Sequence, residues 1–143
     1  MNTDKIPQFG EEVSGKEYVL RLGGYGVIRN DKRLAAVVIT PGGTFLPGGA
    51  QEQGESPEAA LVREAGEECG LLIRVTGLIG IADELVYADT EGTYFRKRGT
   101  FFAAEVHGHT QATEPDYKLL WLSPTEALSR LSHGSQRWAV GLA

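Results

Sequence analysis

Short apolar runs separated by turn-forming residues occupy most of the chain. Runs of this kind, bounded by glycine, proline, asparagine or aspartate, are typical of β-strands. The pattern predicts five strand segments, at residues 18–28, 34–40, 71–86, 93–106 and 117–122, and a short apolar piece at 44–46. Asn30-Asp31 between the first two strands favours a hairpin, and Gly77 and Gly80 are expected to bend the long 71–86 segment.

A helix is predicted for the central segment between residues 56 and 69. Ser56 suits the N-cap, Pro57 suits the first helical position, and Gly70 suits the left-handed position that closes a helix. Two more helices are predicted, at 124–131 and 135–142. Strands with one helix in the middle and others at the end favour an α/β fold, in which a mixed or largely antiparallel sheet lies between helices.

The central helix has two contrasting sides when its residues are spaced at about 100° each. Small or apolar residues on one side are expected to pack on the sheet: Val62, Ala65, Gly66 and Cys69. Three carboxylates are predicted on the opposite side: Glu64, Glu67 and Glu68. Like charges near a helix C-terminus are unfavourable unless a cation compensates them, so the cluster is either a solvated face or a site for Mg²⁺ or Mn²⁺.

Composition and charge narrow the class of protein. The 143 residues are 41% hydrophobic and 23% charged, which predicts one globular domain over 1–143 with a polar segment at 1–17. The net charge of −5 argues against a nucleic-acid-binding surface. A single cysteine, no signal-like segment and no run long enough to cross a bilayer predict a cytoplasmic protein without a membrane partner.

One segment carries a motif with many fixed positions. Gly49 is followed after five residues by Glu55, and after seven more by Arg63-Glu64-Ala65-Gly66-Glu67-Glu68-Cys69-Gly70-Leu71. This spacing resembles the complete Nudix box, which runs here from Gly49 to Leu71, and the resemblance extends over about 18–131. It implies an α/β/α sandwich around a mixed central sheet. It also implies a metal-dependent hydrolase that cleaves a phosphoanhydride bond in a nucleoside diphosphate derivative.

The resemblance also implies roles for the box residues. Its metal ligands would be the three glutamates and a backbone carbonyl near Gly48, with Mg²⁺ as the cation and Mn²⁺ as an alternative. Glu64 and Glu67 would be catalytic, Glu64 as a ligand or as the residue that orients or deprotonates water. Structural support would come from Gly49, Glu55, Arg63 and Gly70. The usual glutamate before the last strand is replaced by Tyr117, so Glu114 and Asp116 are the candidate general bases.

The substrate is predicted from weaker signals. Tyr87 lies sixteen residues past Leu71 and resembles a tyrosine of dinucleoside polyphosphate hydrolases, whereas Val86 stands where ADP-ribose enzymes carry a proline. These positions favour dinucleoside polyphosphates, with ADP-ribose or nucleoside triphosphates as alternatives. Arg96 and Arg98 belong to a short basic run that could contact a phosphate tail or lie on a solvated strand.

Two other classes of protein remain as alternatives. An isomerase of the isopentenyl-diphosphate kind shares the fold but is expected to need a reactive cysteine, and Cys69 is predicted on the packed side of its helix. A non-catalytic nucleotide-sensing module would usually lack a box glutamate, and this box is intact. The expected partner is a small nucleotide, and the sequence leaves the oligomeric state open, a homodimer included.

Overall fold

The computed structural model describes residues 5–143 and contains eight strands and three helices in that range. The strands are Gln8–Phe9 (β1), Val19–Arg29 (β2), Ala35–Thr40 (β3), Gly43–Phe45 (β4), Gly48–Ala50 (β5), Leu71–Ala88 (β6), Thr93–His109 (β7) and Lys118–Leu122 (β8). The helices are Pro57–Cys69 (α1), Pro124–Arg130 (α2) and Gly134–Leu142 (α3). None of these helices is long and apolar enough to cross a membrane.

The strands form one mixed sheet in the order β1-β6-β7-β2-β3-β4, to which β5 adds beside β2 and β8 beside β3. The long central pair β2 and β7 is parallel, whereas β6 and β7 form an antiparallel hairpin. The predicted turn between β2 and β3 is present, since the Asn30 side chain accepts the N–H groups of Lys32 and Leu34, each at 3.0 Å. Register shifts beside Gly77 and Gly80 bend β6 as expected.

Helices cover both faces of the sheet. Alternate side chains of a strand point to opposite faces, so adjacent residues of β2 belong to different cores. Val27 packs with residues of α2 and α3, whereas Ile28 packs with Leu61 and Ala65 of α1. This arrangement confirms the predicted α/β fold with a mixed central sheet between helices.

Helix α1 begins and ends as predicted. The Ser56 hydroxyl accepts the Ala59 N–H at 3.0 Å, Pro57 occupies the first turn, and Gly70 closes the helix with φ of 68°. Gly24 allows the close approach of this helix to the sheet, because a Cβ there would lie 1.8 Å from the Pro57 carbonyl oxygen.

The side of α1 that packs on the sheet differs from the predicted one by part of a helical turn. Val62 is 40% exposed, and Cys69 is only half-buried. The buried stripe instead contains Leu61, Ala65 and Glu68, the last only 6% exposed. A buried carboxylate needs a hydrogen-bond donor, and the segment at Gly48 supplies one from outside the helix. The glutamates therefore straddle the boundary between core and solvent, and the helix does not present them on a side opposite the core.

Candidate active site

A cavity of about 410 Å³ lies between the C-terminal half of α1, one face of strands β2, β6 and β7, and the start of α3. This volume is within the range of small-molecule sites. Its acidic side contains four carboxylates, those of Glu64, Glu67, Glu68 and Glu114. Another part is lined by charged or polar side chains from the sheet and from α3: Arg21, Glu84, Lys97 and Gln136. The cavity thus offers both signs of charge to one ligand.

Arg63 connects α1 to the segment before it. Its Nε and Nη2 donate to the two carboxylate oxygens of Glu55, at 2.8 and 2.9 Å, and Nη2 also donates to the Ala50 carbonyl at 3.2 Å. Its Nη1 donates to Glu67 at 3.2 Å. The Arg63 hydrogen bonds, followed by the N–H of Glu52, lower the pKa of Glu55 to about 2. These contacts fit the supporting role predicted for Arg63 and Glu55.

Two of the box carboxylates are held close to backbone. The Gly48 N–H donates to Oε1 of Glu68 at 3.2 Å. A Cβ on Gly49 would lie 2.4 Å from Oε2 of Glu64, so only glycine leaves that carboxylate its present position. Burial raises the pKa of Glu68 to about 8, and burial raises that of Glu64 to about 7 against the opposing effect of Arg63. The protein therefore supplies too little positive charge and too few hydrogen-bond donors to balance a negative charge on either side chain.

The donors present fit a hard divalent cation. Carboxylate oxygens are the ligands that Mg²⁺ and Mn²⁺ prefer, and a cation would supply the charge that buried Glu64 and Glu68 lack. Across residues 5–143 no three His, Cys, Asp or Glu side chains already converge in a ligand-like group. One oxygen of Glu67 accepts from Arg63 and one oxygen of Glu68 accepts from the Gly48 N–H, which leaves each carboxylate a second oxygen for an ion. Gly48 contacts Glu68 through its N–H. A metal-ligating carbonyl at Gly48 stays a prediction.

The two candidate general bases are placed differently. Glu114 lines the cavity, and its N–H donates to the Glu67 carbonyl at 3.1 Å, which joins this loop to the end of α1. Asp116 is exposed and is absent from the cavity lining. Tyr117, the residue in the usual glutamate position, lines the cavity as well. Of the two candidates, Glu114 is therefore the one that lies at the cavity.

The three predicted substrate-binding residues do not line the cavity. Tyr87 is 50% exposed and packs on the Tyr94 ring, with centroids 4.7 Å apart. Arg98 donates to both carboxylate oxygens of buried Asp83, at 2.8 and 3.0 Å, and Arg96 donates to one at 3.2 Å. Of the basic run, Lys97 is the residue that lines the cavity. Alternation along β7 turns Lys97 toward the cavity and its two neighbours away from it.

The ion pairs of Asp83 should contribute stability that disappears in acid. Burial raises the pKa of Asp83, but hydrogen bonds from Arg98 and Arg96 outweigh burial and hold it below the ordinary 3.8. The contribution is therefore present above that value and is lost as pH falls through the lower, folded-state pKa. Asp83→Asn should reduce the free energy of unfolding by about 2 kcal/mol at pH 7, the scale of a charged hydrogen bond.

Urea unfolding at pH 7 and at successively lower pH checks this expectation. The gap between variant and parent should narrow as pH falls below 4 or so, where unfolded aspartates become protonated. A gap that stayed constant would show that Asp83 contributes through packing and not through its charge.

Comparison with known proteins identifies the family. The model of the NUDIX domain family matches residues 21–140. A MutT-like protein from Streptomyces ambofaciens is 33% identical over 111 residues, which cover 74% of this chain and 65% of that protein. A Nudix hydrolase structure from Nitrosomonas europaea is 22% identical, with a TM-score of 0.67 and coverage of 85% of this chain and 86% of that one.

A second solved structure, the MutT protein from Methanosarcina mazei Go1, gives a TM-score of 0.68 at 19% identity, with 87% and 93% of the two chains covered. Such structural matches show the fold, and the family model adds the sequence pattern along most of the chain. The resemblance found in the sequence is thereby confirmed. With its complete box on a capped helix and its mixed sheet between helices, the chain belongs to the NUDIX domain family.

Proposed function

We propose that this protein is a metal-dependent pyrophosphohydrolase that cleaves a phosphoanhydride bond in a nucleoside diphosphate derivative. The observation that carries the proposal is that the three box glutamates line one cavity that also contains cationic side chains. Family membership supports the same reaction class. The aligned region is only 65% of the length of the Streptomyces relative, so the activity is proposed for this chain on its own site.

Each group near the acidic side has a task in this reaction. Glu64, Glu67 and Glu68 would hold one or more Mg²⁺ or Mn²⁺ ions. Such cations, when bound, neutralise phosphate charge and lower the pKa of a coordinated water. Glu64 or Glu114 would accept the proton of the water whose oxygen bonds to phosphorus, as the anhydride P–O bond breaks and its oxygen leaves with the departing phosphate. Arg63 would keep Glu67 in position.

We further propose nucleoside polyphosphates as substrates, cut at an internal anhydride, with dinucleoside polyphosphates among them. Val86 at the position of the ADP-ribose proline supports the choice against ADP-ribose. Tyr87 does not support it, because that ring lies outside the cavity. A base contact would come instead from the Tyr25 ring, which lines the cavity and stacks on the buried Phe101 ring with centroids 5.5 Å apart.

A substrate panel tests the proposal. Purified protein with Mg²⁺ or Mn²⁺ should hydrolyse at least one of diadenosine tetraphosphate, ADP-ribose and the nucleoside triphosphates, with products resolved by ion-exchange chromatography. Reaction in ¹⁸O-labelled water should place the label on the phosphorus that is attacked. Nucleotide binding without turnover of any of these compounds would contradict the proposal and would favour a nucleotide-sensing module.

A further inference from the structure

Three charged residues form a row across adjacent strands at the side of the cavity formed by the sheet. Glu84 of β6 pairs in register with Lys97 of β7, and Lys97 pairs with Arg21 of β2. Side chains of directly paired residues lie on the same sheet face, so all three point toward the cavity that they line. An acceptor and two cationic donors are therefore fixed side by side by the strand register.

Lys97 is the cation of this row that is available to a ligand. Arg21 is already engaged, since it donates to Glu91 at 3.0 Å and lies over the Phe95 ring at 3.8 Å. Within residues 5–143 no ion pair includes Lys97, although its side chain is half-buried. Burial, and secondarily the charge of Arg21, lower the pKa of Lys97. A ligand oxygen would supply the hydrogen-bond partner that this ammonium lacks.

Glu84 retains acceptor capacity toward the cavity. It is 7% exposed, and its Oε1 accepts the Ser135 N–H at the start of α3 at 2.9 Å. Its Oε2 lies 3.9 Å from Nδ1 of His133, which is beyond hydrogen-bond distance. The same oxygen lies close to Gly10, where an added Cβ would be 3.2 Å away. An ionised carboxylate has about four acceptor positions, so one hydrogen bond leaves it far from saturated.

Gln136 adds a donor of fixed orientation. Its Oε1 accepts the Leu46 N–H at 2.8 Å, which assigns the other end of the amide as Nε2. In the described part of the chain, every fully buried side-chain nitrogen or oxygen has a hydrogen-bond partner. Nε2 makes no hydrogen bond to any residue within 5–143 and must keep some exposure, which the cavity that Gln136 lines provides. This end of the cavity thus presents one carboxylate and two N–H donors.

The Tyr25 ring lies next to these groups and covers a row of small residues. Ala82, Gly99 and Gly23 form the following row of small residues, paired across the same three strands. A Cβ on Gly99 would lie 2.9 Å from Cδ2 of Tyr25, so the aromatic ring lies directly over the glycine. The half-buried Tyr25 ring, which also lines the cavity, therefore offers an aromatic surface beside the charged row.

We propose that Glu84 and Lys97 determine substrate specificity by binding a heterocycle edge in which a ring N–H lies beside a carbonyl, as in hypoxanthine, guanine and uracil. Lys97 would donate to the carbonyl oxygen, and Glu84 would accept the N–H. The proposal rests on the proposed hydrolase function, because the same molecule would place its phosphates at the glutamates of α1. Strand β6 is three strand spacings from β5, roughly 14 Å, which separates the heterocycle end from the phosphate end.

The charges of the two residues favour this edge over the amino edge of adenine or cytosine. A carbonyl oxygen concentrates more negative charge than a ring nitrogen and is the better partner for an ammonium. The adjacent carbonyl also withdraws electrons from the ring N–H, which makes it a stronger donor to a carboxylate than an amino group. Charge-assisted hydrogen bonds amplify such differences in a partly buried site.

Two pairs of nucleoside triphosphates test the proposal. ITP has an oxo group where ATP has an amino group, and UTP and CTP differ in the same way. The parent protein should prefer ITP and UTP in kcat/KM. Glu84→Gln and Lys97→Met should each lower kcat/KM for these two substrates roughly 10- to 100-fold, the effect of one charged hydrogen bond. Values for ATP and CTP should change less than about threefold. The glutamine keeps an oxygen for the Ser135 N–H, so α3 should stay in place.

Two positions outside the cavity provide charge-matched controls, half-buried Glu105→Gln on β7 and exposed Lys118→Met on β8, and neither should alter the preference. Calorimetric binding of inosine and adenosine in EDTA gives a second readout without phosphate, metal or turnover. Inosine should bind more tightly to the parent protein, and both site variants should lose that difference.

The outcomes separate this proposal from the proposed function. Hydrolysis without an oxo preference, or equal losses on all four nucleotides together with a lower melting temperature, would overturn the specificity role and assign Glu84 to holding α3. Selective inosine binding without hydrolysis of any nucleotide would support the recognition and overturn the hydrolase.

Discussion

Removal of divalent cations is expected to reduce nucleotide hydrolysis to background. The acidic side of the cavity has four carboxylates, and two of them, Glu64 and Glu68, already have raised pKa values because burial disfavours their charge. A polyphosphate cannot approach this surface unless cations lie between the two sets of negative oxygens. Activity should vanish in EDTA and return when Mg²⁺ or Mn²⁺ is added in excess.

Thermal unfolding provides a readout that does not depend on turnover. An ion that binds the folded chain stabilises it by mass action, so the melting temperature should rise with Mg²⁺ concentration. It should not rise with an equal ionic strength of Na⁺, since the site requires a divalent charge. Full turnover in the chelator would rule out the metal-dependent reaction.

Replacement of Glu68 by glutamine is expected to lower kcat by at least ~10²-fold, comparable to the loss of a major electrostatic contributor to a transition state. Glu68 is the most buried of the box glutamates and receives the Gly48 N–H at 3.2 Å. Glutamine keeps the shape and the acceptor for that N–H but removes the negative charge that would hold a cation. Metal-free stability should stay level or rise, because the like-charge contact with Glu64 is relieved.

Steady-state kinetics at several Mg²⁺ concentrations measure this effect. The control is Glu58→Gln, which makes the same chemical change at an exposed position in the first turn of α1 and should leave kcat unchanged. The Mg²⁺-dependent rise in melting temperature should also weaken in the Glu68 variant. Near-normal turnover of that variant at saturating Mg²⁺ would show that Glu68 is not a principal ligand.

Features encoded by local sequence were predicted accurately. The limits of α1 follow from Ser56, Pro57 and Gly70, whose capping preferences depend on nearby backbone. The turn at Asn30 depends equally on local hydrogen bonds. The box spacing identified the family, and the comparisons confirm it. The roles of the individual box residues and the metal remain predictions, which the two experiments above address.

The sequence was less informative where the position of a side chain depends on residues far along the chain. Glu68 was predicted on an outward side of α1, but its burial depends on the Gly48 amide, which lies twenty residues earlier. Tyr87, Arg96 and Arg98 were predicted near the substrate, but they do not line the cavity. The strand periodicity alone shows that Lys97 and its neighbours point in opposite directions, without showing which face carries the cavity.

By itself, then, the sequence determined the helix that carries the box and the hairpins between neighbouring strands. It also determined the reaction class that the box implies. The tertiary structure decided which side of each strand faces a ligand, because that depends on where α1 and α3 pack against the sheet. It also brought Glu84, Lys97 and Gln136 together from β6, β7 and α3. Residues so distant in sequence share no local pattern, and only strand register and helix packing place them around one cavity.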